Sequence, residues 1–231
     1  MFTPRVLLVI FDPLKEMSSR SIDMTHEFIK AIDVASKGKV KYRLQHTEPI
    51  YDFPELEGGK KYTIDSWREA CADNTKALRN KDGGWLNLDY TKAAKDWSVY
   101  LYDEVWMWGG GYFGFYESRL VGERGFFLNS PPVEVKRLPP KVFMGFNWER
   151  QTDQALHAHG HKVEFIMRRA KPLEFSAWVN EIGTVHTKKG QYGDYEYGTE
   201  GHAAYIQRWH NSLFADWWRY IVHPRLVAGY N

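Results

Sequence analysis

The 231-residue chain holds a single cysteine, Cys71. One thiol excludes an internal disulfide and any thiolate cluster around a metal. In its polar setting, SWREACADNTK, it reads as a bland, partly buried thiol. Long apolar runs are also missing. Nothing approaches the roughly 18 consecutive apolar residues of a membrane span, so no membrane partner is expected. The N-terminal apolar stretch is short and stops at Asp12-Pro13, unlike a secretory leader with its small-residue cleavage site. The chain thus reads as cytoplasmic if Met1 is the native start, or as secreted if a leader has been removed. An excess of one charge is absent too: 31 Lys plus Arg face 29 Asp plus Glu, a formal net charge of +2. With the basic residues scattered, nucleic acid is not an expected partner.

Known catalytic signatures are equally sparse. No Gly-Lys-Ser/Thr follows a glycine loop, no GxGxxG opens a helix, and neither GxSxG nor HExxH occurs. A bound nucleotide, a nucleophile elbow and an HExxH zinc site are therefore not expected, and no cofactor is implied.

Aromatic residues are abundant: 16% of the chain, with ten Trp and fourteen Tyr. Most belong in a core, and some are available to stack on sugars or other polar ligands. Arg5–Phe11 (RVLLVIF) has the continuous apolar character of a strand buried on both faces. Helical spacing follows from the serines at 18–21 to Val34, and Gly38 stands where a left-handed helix end belongs. An alternating strand is predicted over 40–46, which completes a βαβ unit. Helices are predicted over 63–73 and 88–97, strands over 104–108 and 141–146, and a helix over 151–159 ended by Gly160. Residues 161–166 read as a further strand or another helical turn. These elements predict an α/β fold, a single domain over 1–231 with a mostly parallel, doubly wound sheet of the flavodoxin or Rossmann kind.

Such sheets place ligands at the carboxyl ends of their strands. Three segments qualify: Asp12 after the first strand, Gly109-Gly110-Gly111 through Arg119, and Asn147-Trp148-Glu149-Arg150. Consecutive glycines suit positive φ angles, close backbone approach and an anion-binding nest of N–H groups. Glu117 and Glu149 are candidates for a carboxylate pair of the kind that cleaves glycosidic bonds, and their mutual repulsion would raise one pKa and leave an acid. Arg119 and Asn147 would position substrate, Tyr112 and Trp148 would stack on it, and Gly110, Gly111, Asp12 and Arg150 complete the binding set. His186, in GTVH, is a candidate general acid or base. The plainer alternative is a tight turn with Glu117 at a helix start and Arg119 in a structural ion pair. His157 and His161 are four apart with His159 between them, but Gly160 interrupts the spacing, so they read as a surface cluster without metal.

One stretch, Tyr102-Asp103-Glu104-Val105-Trp106 through Phe113-Gly114-Phe115-Tyr116-Glu117-Ser118-Arg119, resembles a family of largely uncharacterised bacterial proteins, many of them secreted. The likeness continues in Asn129-Ser130-Pro131-Pro132, Gly145-Phe146-Asn147-Trp148-Glu149-Arg150, Gly160-His161, Gly183-Thr184-Val185-His186 and Trp217-Trp218. That family often has proline where Gly111 stands, and it has cysteine-containing stretches that this chain lacks. The resemblance implies an extracellular location and names no reaction. The expectation is a hydrolase for a carbohydrate or related polar substrate. The alternatives are a non-enzymatic carbohydrate-binding module and a metal-dependent hydrolase using Asp12, Glu149 and His186.

Overall fold

The computed structural model describes residues 2–150, 152–173 and 176. Among the described residues, five strands form one sheet in the order β2-β1-β3-β5-β4. β1 (Arg5–Phe11) is buried at every position after Arg5 and pairs in parallel with both β2 (Arg43–Ile50) and β3 (Glu104–Gly109). β3 continues the parallel sheet into β5 (Lys141–Asn147), and the short β4 (Arg119–Val121) closes that edge antiparallel to β5. The sheet is therefore mostly parallel, and helices cover both faces. α1 (Ser18–Ala35) buries Ser21, Met24, Thr25, Phe28 and Ile32, a stripe at three- and four-residue spacing. Phe28 meets Trp106 and Phe146 on one face at ring-centroid distances of 4.8 and 5.7 Å, and Trp108 Nε1 donates to Thr25 Oγ1 there at 2.7 Å. On the other face Phe143 packs against Tyr90 and Trp97, at the two ends of α3 (Tyr90–Asp96). α2 (Ile64–Ala72) starts at Thr63, which caps it through a reciprocal bond with Ser66.

Three elements differ from the sequence expectation. β2 begins at Arg43 and runs to Ile50, later than the predicted 40–46. Val40 is joined to Phe2 by an isolated bridge, and the strand beyond it is a half-exposed edge whose polar residues carry no apolar alternation. β4 was not foreseen, because three residues are too few to show a period. Most consequential, α4 spans Thr152–Ala170 and passes straight through Gly160. A mid-helix glycine costs about 1 kcal/mol relative to alanine, and burial of this helix against α1 and β5 outweighs that cost.

α4 is fixed on the sheet by a polar knot in an otherwise apolar layer. Lys162 Nζ donates to Glu104 Oε1 at 2.8 Å and to the Tyr42 hydroxyl at 2.7 Å. Trp106 Nε1 donates to Glu104 Oε2 at 2.8 Å, and His159 Nε2 lies 3.3 Å from the Tyr42 hydroxyl. Neither Lys162 nor Glu104 exposes any side-chain surface. Burial pulls the Lys162 ammonium below its ordinary pKa against the attraction of Glu104. Burial and the nearby Lys162 charge push His159 well below the usual histidine value, so it is neutral.

Removing one member of such a pair leaves a buried charge without its partner. Lys162→Met is expected to lower unfolding free energy by roughly 3–5 kcal/mol, whereas Glu104→Gln with Lys162→Met should recover a large part of that loss. Urea denaturation of both variants checks this; equal losses would mean that the charges do not interact as a pair.

Candidate functional site

The carboxyl ends of β3 and β5 lie side by side, with Gly109 opposite Asn147 in register. Above them opens a cleft of about 850 Å³. Gly110, Gly111, Tyr112 and Glu117 contribute one wall, and Asn147, Glu149 and Arg150 another. Asn80, Trp85, Asn87 and Gln154 also line it.

Gly109 and Gly110 serve packing rather than a nest of N–H groups, whereas a side chain on Gly111 would meet open space. None of Gly109, Gly110 and Gly111 has a positive φ; Tyr112 (65°) and Gly114 (77°) make the left-handed turns. A Cβ on Gly109 would lie 2.6 Å from the Phe113 and Phe115 rings, and one on Gly110 3.0 Å from Trp67 and Trp148. The carbonyls of this turn are engaged: Gly109 accepts from Trp148 N at 3.0 Å, and Gly111 from Trp67 Nε1 at 2.9 Å. Beyond the turn the chain lies flat on the sheet. Gly145 N donates to Tyr116 O at 3.0 Å, and a Cβ on Gly145 would come within 2.3 Å of Phe115 Cβ. Only a residue without a side chain in the middle of β5 lets the 112–117 loop descend that far, and this descent sets the height of Glu117.

Glu117 accepts from Asn129 Nδ2 at 2.6 Å and from Gln154 Nε2 at 3.2 Å. His157 Nε2 is 3.5 Å from its Oε1. Burial pushes the Glu117 pKa up, but contact with His157, the nearby His161 and the Asn129 amide together outweigh burial and hold it below the ordinary carboxylate value. Glu117 is thus a fixed anion, not the raised acid expected from repulsion between carboxylates. Its close partners are two amides and an imidazole, not a second carboxylate. His161 moves the other way: burial works against its charged form, yet Glu164 and Glu117 raise its pKa.

Glu149 is exposed at the other wall, its N–H donating to Asn147 Oδ1 at 2.8 Å. Arg150 Nη1 donates to Gln154 Oε1 at 2.8 Å. Since Gln154 also reaches Glu117, one amide ties the two walls together.

Three expected binding residues lie elsewhere. Asp12 is buried and caps α1 from six residues upstream, accepting from the N–H groups of Glu16, Met17 and Ser18 and from the Ser18 hydroxyl at 2.7–3.0 Å. Arg119 is not paired with Glu117. Its guanidinium is sandwiched between Tyr90 and Tyr116, 4.9 and 4.7 Å from the ring centroids, with Nε donating to Pro131 O at 2.7 Å. Trp148 is 4% exposed and packs edge-on against Phe113 beneath the glycine turn, so it offers no open face. His186 lies outside the described residues. His157, His159 and His161 are not a surface cluster: His159 is fully buried in the polar knot, whereas His157 and His161 face Glu117.

Sequence reasoning missed Trp85, Asn80, Asn87 and Gln154, which come from loops and from the first turn of α4. Trp85 is 56% exposed and meets Tyr112 edge to face at 5.6 Å, so the pair makes an aromatic rim. Its only sequence signal is a tryptophan directly after Gly83-Gly84.

The Asp12 cap yields a pH-dependent expectation. Burial works to raise its pKa, but the Ser18 hydroxyl and the three N–H groups outweigh this and leave it below the ordinary value. A depressed carboxylate stabilises the fold above its unfolded pKa of about 3.9, and that contribution disappears as pH falls through the folded value. Asp12→Ala should cost about 1–2 kcal/mol at pH 7, at the upper end for a helix cap, and the difference from the parent should shrink below about pH 4. Paired urea melts at pH 7 and pH 3 read it directly. Compared with known proteins, the chain matches no family model and no curated sequence.

Proposed function

We propose that the cleft belongs to a hydrolase acting on a carbohydrate or a related polar substrate. The observation that carries this reading is the presence of two carboxylates, Glu117 and Glu149, in the walls of one cleft rimmed by the exposed Trp85–Tyr112 pair. Sugar rings present apolar faces to aromatic side chains and hydroxyl groups to amides and charges. Asn80, Asn87, Asn147 and Arg150 supply the second kind of contact. Glu117, held ionised, is suited to stabilise positive charge that develops on the substrate, and the exposed Glu149 is free to move a proton. Two of the segments that carry the family resemblance, one ending at Arg119 and the other at Arg150, contribute to this cleft.

Turnover on a panel of oligosaccharides tests the proposal. Glu149→Gln should lower kcat by roughly 100-fold or more, the usual scale for losing a general acid or base. Its melting should stay within about 0.5 kcal/mol of the parent, as for other surface substitutions. Trp85→Ala should raise KM with less effect on kcat. A cleft that binds oligosaccharides through Trp85 but turns over none of them would make this a binding module and reject the hydrolase.

A further inference from the structure

His157 and His161 stand one turn apart on α4, and their rings meet edge to face with centroids 4.4 Å apart. Glu117 approaches them from the loop before β4. One donor atom from each of the three residues lies within 4.8 Å of the other two. We propose that Glu117, His157 and His161 bind a divalent transition-metal ion of the zinc class.

Donors around a tetrahedral zinc, with bonds of about 2.1 Å, stand about 3.4 Å from one another. The three side chains therefore need to draw together by roughly 1.4 Å at most from their present 4.8 Å limit. Side-chain rotation supplies this, since Glu117 exposes 34% of its side chain and His161 21%.

The surroundings are those of a ligand set. His161 Nδ1 is engaged by Glu164 Oε2 at 2.9 Å, which leaves Nε2 to face an ion. A carboxylate on the far nitrogen is the arrangement that orients a metal-bound imidazole and raises its basicity. Glu117 is steadied by two neutral amides, Asn129 and Gln154, which fix the carboxylate without cancelling its charge. A simple ion pair with Glu117 accounts for one imidazole. It does not account for a second, packed against the first and backed by a carboxylate of its own.

Imidazole and carboxylate donors suit zinc, cobalt, nickel, iron or manganese, whereas copper(I) favours thiolate or thioether donors. Three protein donors leave room for water or a ligand, as catalytic zinc sites do. Because Glu117 also lines the cleft, an ion held there would sit at its wall. The inference does not depend on the hydrolase reading, because it is read from metal content with no substrate present.

The experiment uses the full chain without a histidine tag, stripped with a chelator and titrated with Zn²⁺ alone. One ion per chain by elemental analysis is expected, together with a higher melting temperature on loading. Co²⁺ should give visible absorption bands of a low-coordinate nitrogen and oxygen site. Affinity for Zn²⁺ should fall at least tenfold in Glu117→Gln and in His157→Ala with His161→Ala, while His46→Ala, on the exposed edge strand, should bind as the parent does. No retained ion, or unchanged affinity in the double histidine variant, overturns the inference. Should that variant not fold, unchanged affinity in Glu117→Gln decides equally. A stoichiometric ion in a protein that hydrolyses nothing would remove the proposed hydrolase and keep the metal; hydrolysis by a chain that binds no ion would do the reverse.

Discussion

The rotation of α4 about its own axis is set by one contact, the buried ammonium of Lys162 against the carboxylate of Glu104. The hydrophobic effect that buries the helix is non-directional and names no single partner for any one side chain. A fully buried charge does, because it must meet its partner within hydrogen-bonding distance or stay unneutralised. With Lys162 and His159 committed to the sheet, the helical period turns His157 and His161 away from the knot and toward Glu117. The polar knot lies near the start of β3 and the cleft lies beyond its end, so α4, which reaches both, carries orientation from one to the other.

A second constraint acts on the opposite wall. Glycine at 109, 110 and 145 leaves space that Phe113, Phe115 and the Trp67–Trp148 pair fill. The loop bearing Tyr112 and Glu117 is thereby clamped between the sheet below and aromatic rings at its sides. Candidate functional groups on a loop thus acquire the positional definition normally associated with strands, through close packing instead of a hydrogen-bonded ladder.

The framework was legible where burial is two-sided. Arg5–Phe11 and the strands starting at Glu104 and Lys141 are continuous apolar runs, and no alternative element accommodates them well. Their parallel arrangement followed from the helices between them. β2 was misplaced because an edge strand needs no apolar face, and β4 was invisible because it is held by pairing with β5 and not by its own pattern. The cleft was legible as a location, since the carboxyl ends of β3 and β5 are where an α/β sheet converges. It was less legible as chemistry. Nothing local distinguishes Glu117, which reaches the cleft, from Arg119, which is drawn under two tyrosines. The spacing of His157 and His161 was visible, but Gly160 argued against a continuous helix. Only tertiary burial, which no local pattern reports, reverses that judgement.

The order of the strands also bears on how the chain reaches this state. β1, α1 and β2 are contiguous and can associate soon after they exist. The partner on the other side of β1 is β3, and the Arg5–Asp103 contact at that seam joins residues 98 positions apart. Closing so long a loop forfeits chain entropy before any contact compensates for it. A nascent chain that ends before Glu104 leaves one whole flank of β1, an apolar strand with its backbone groups unpaired, open to other chains. An interior strand of the finished sheet is therefore an aggregation-prone edge of the unfinished one, and it stays so until nearly half of the polypeptide has been made.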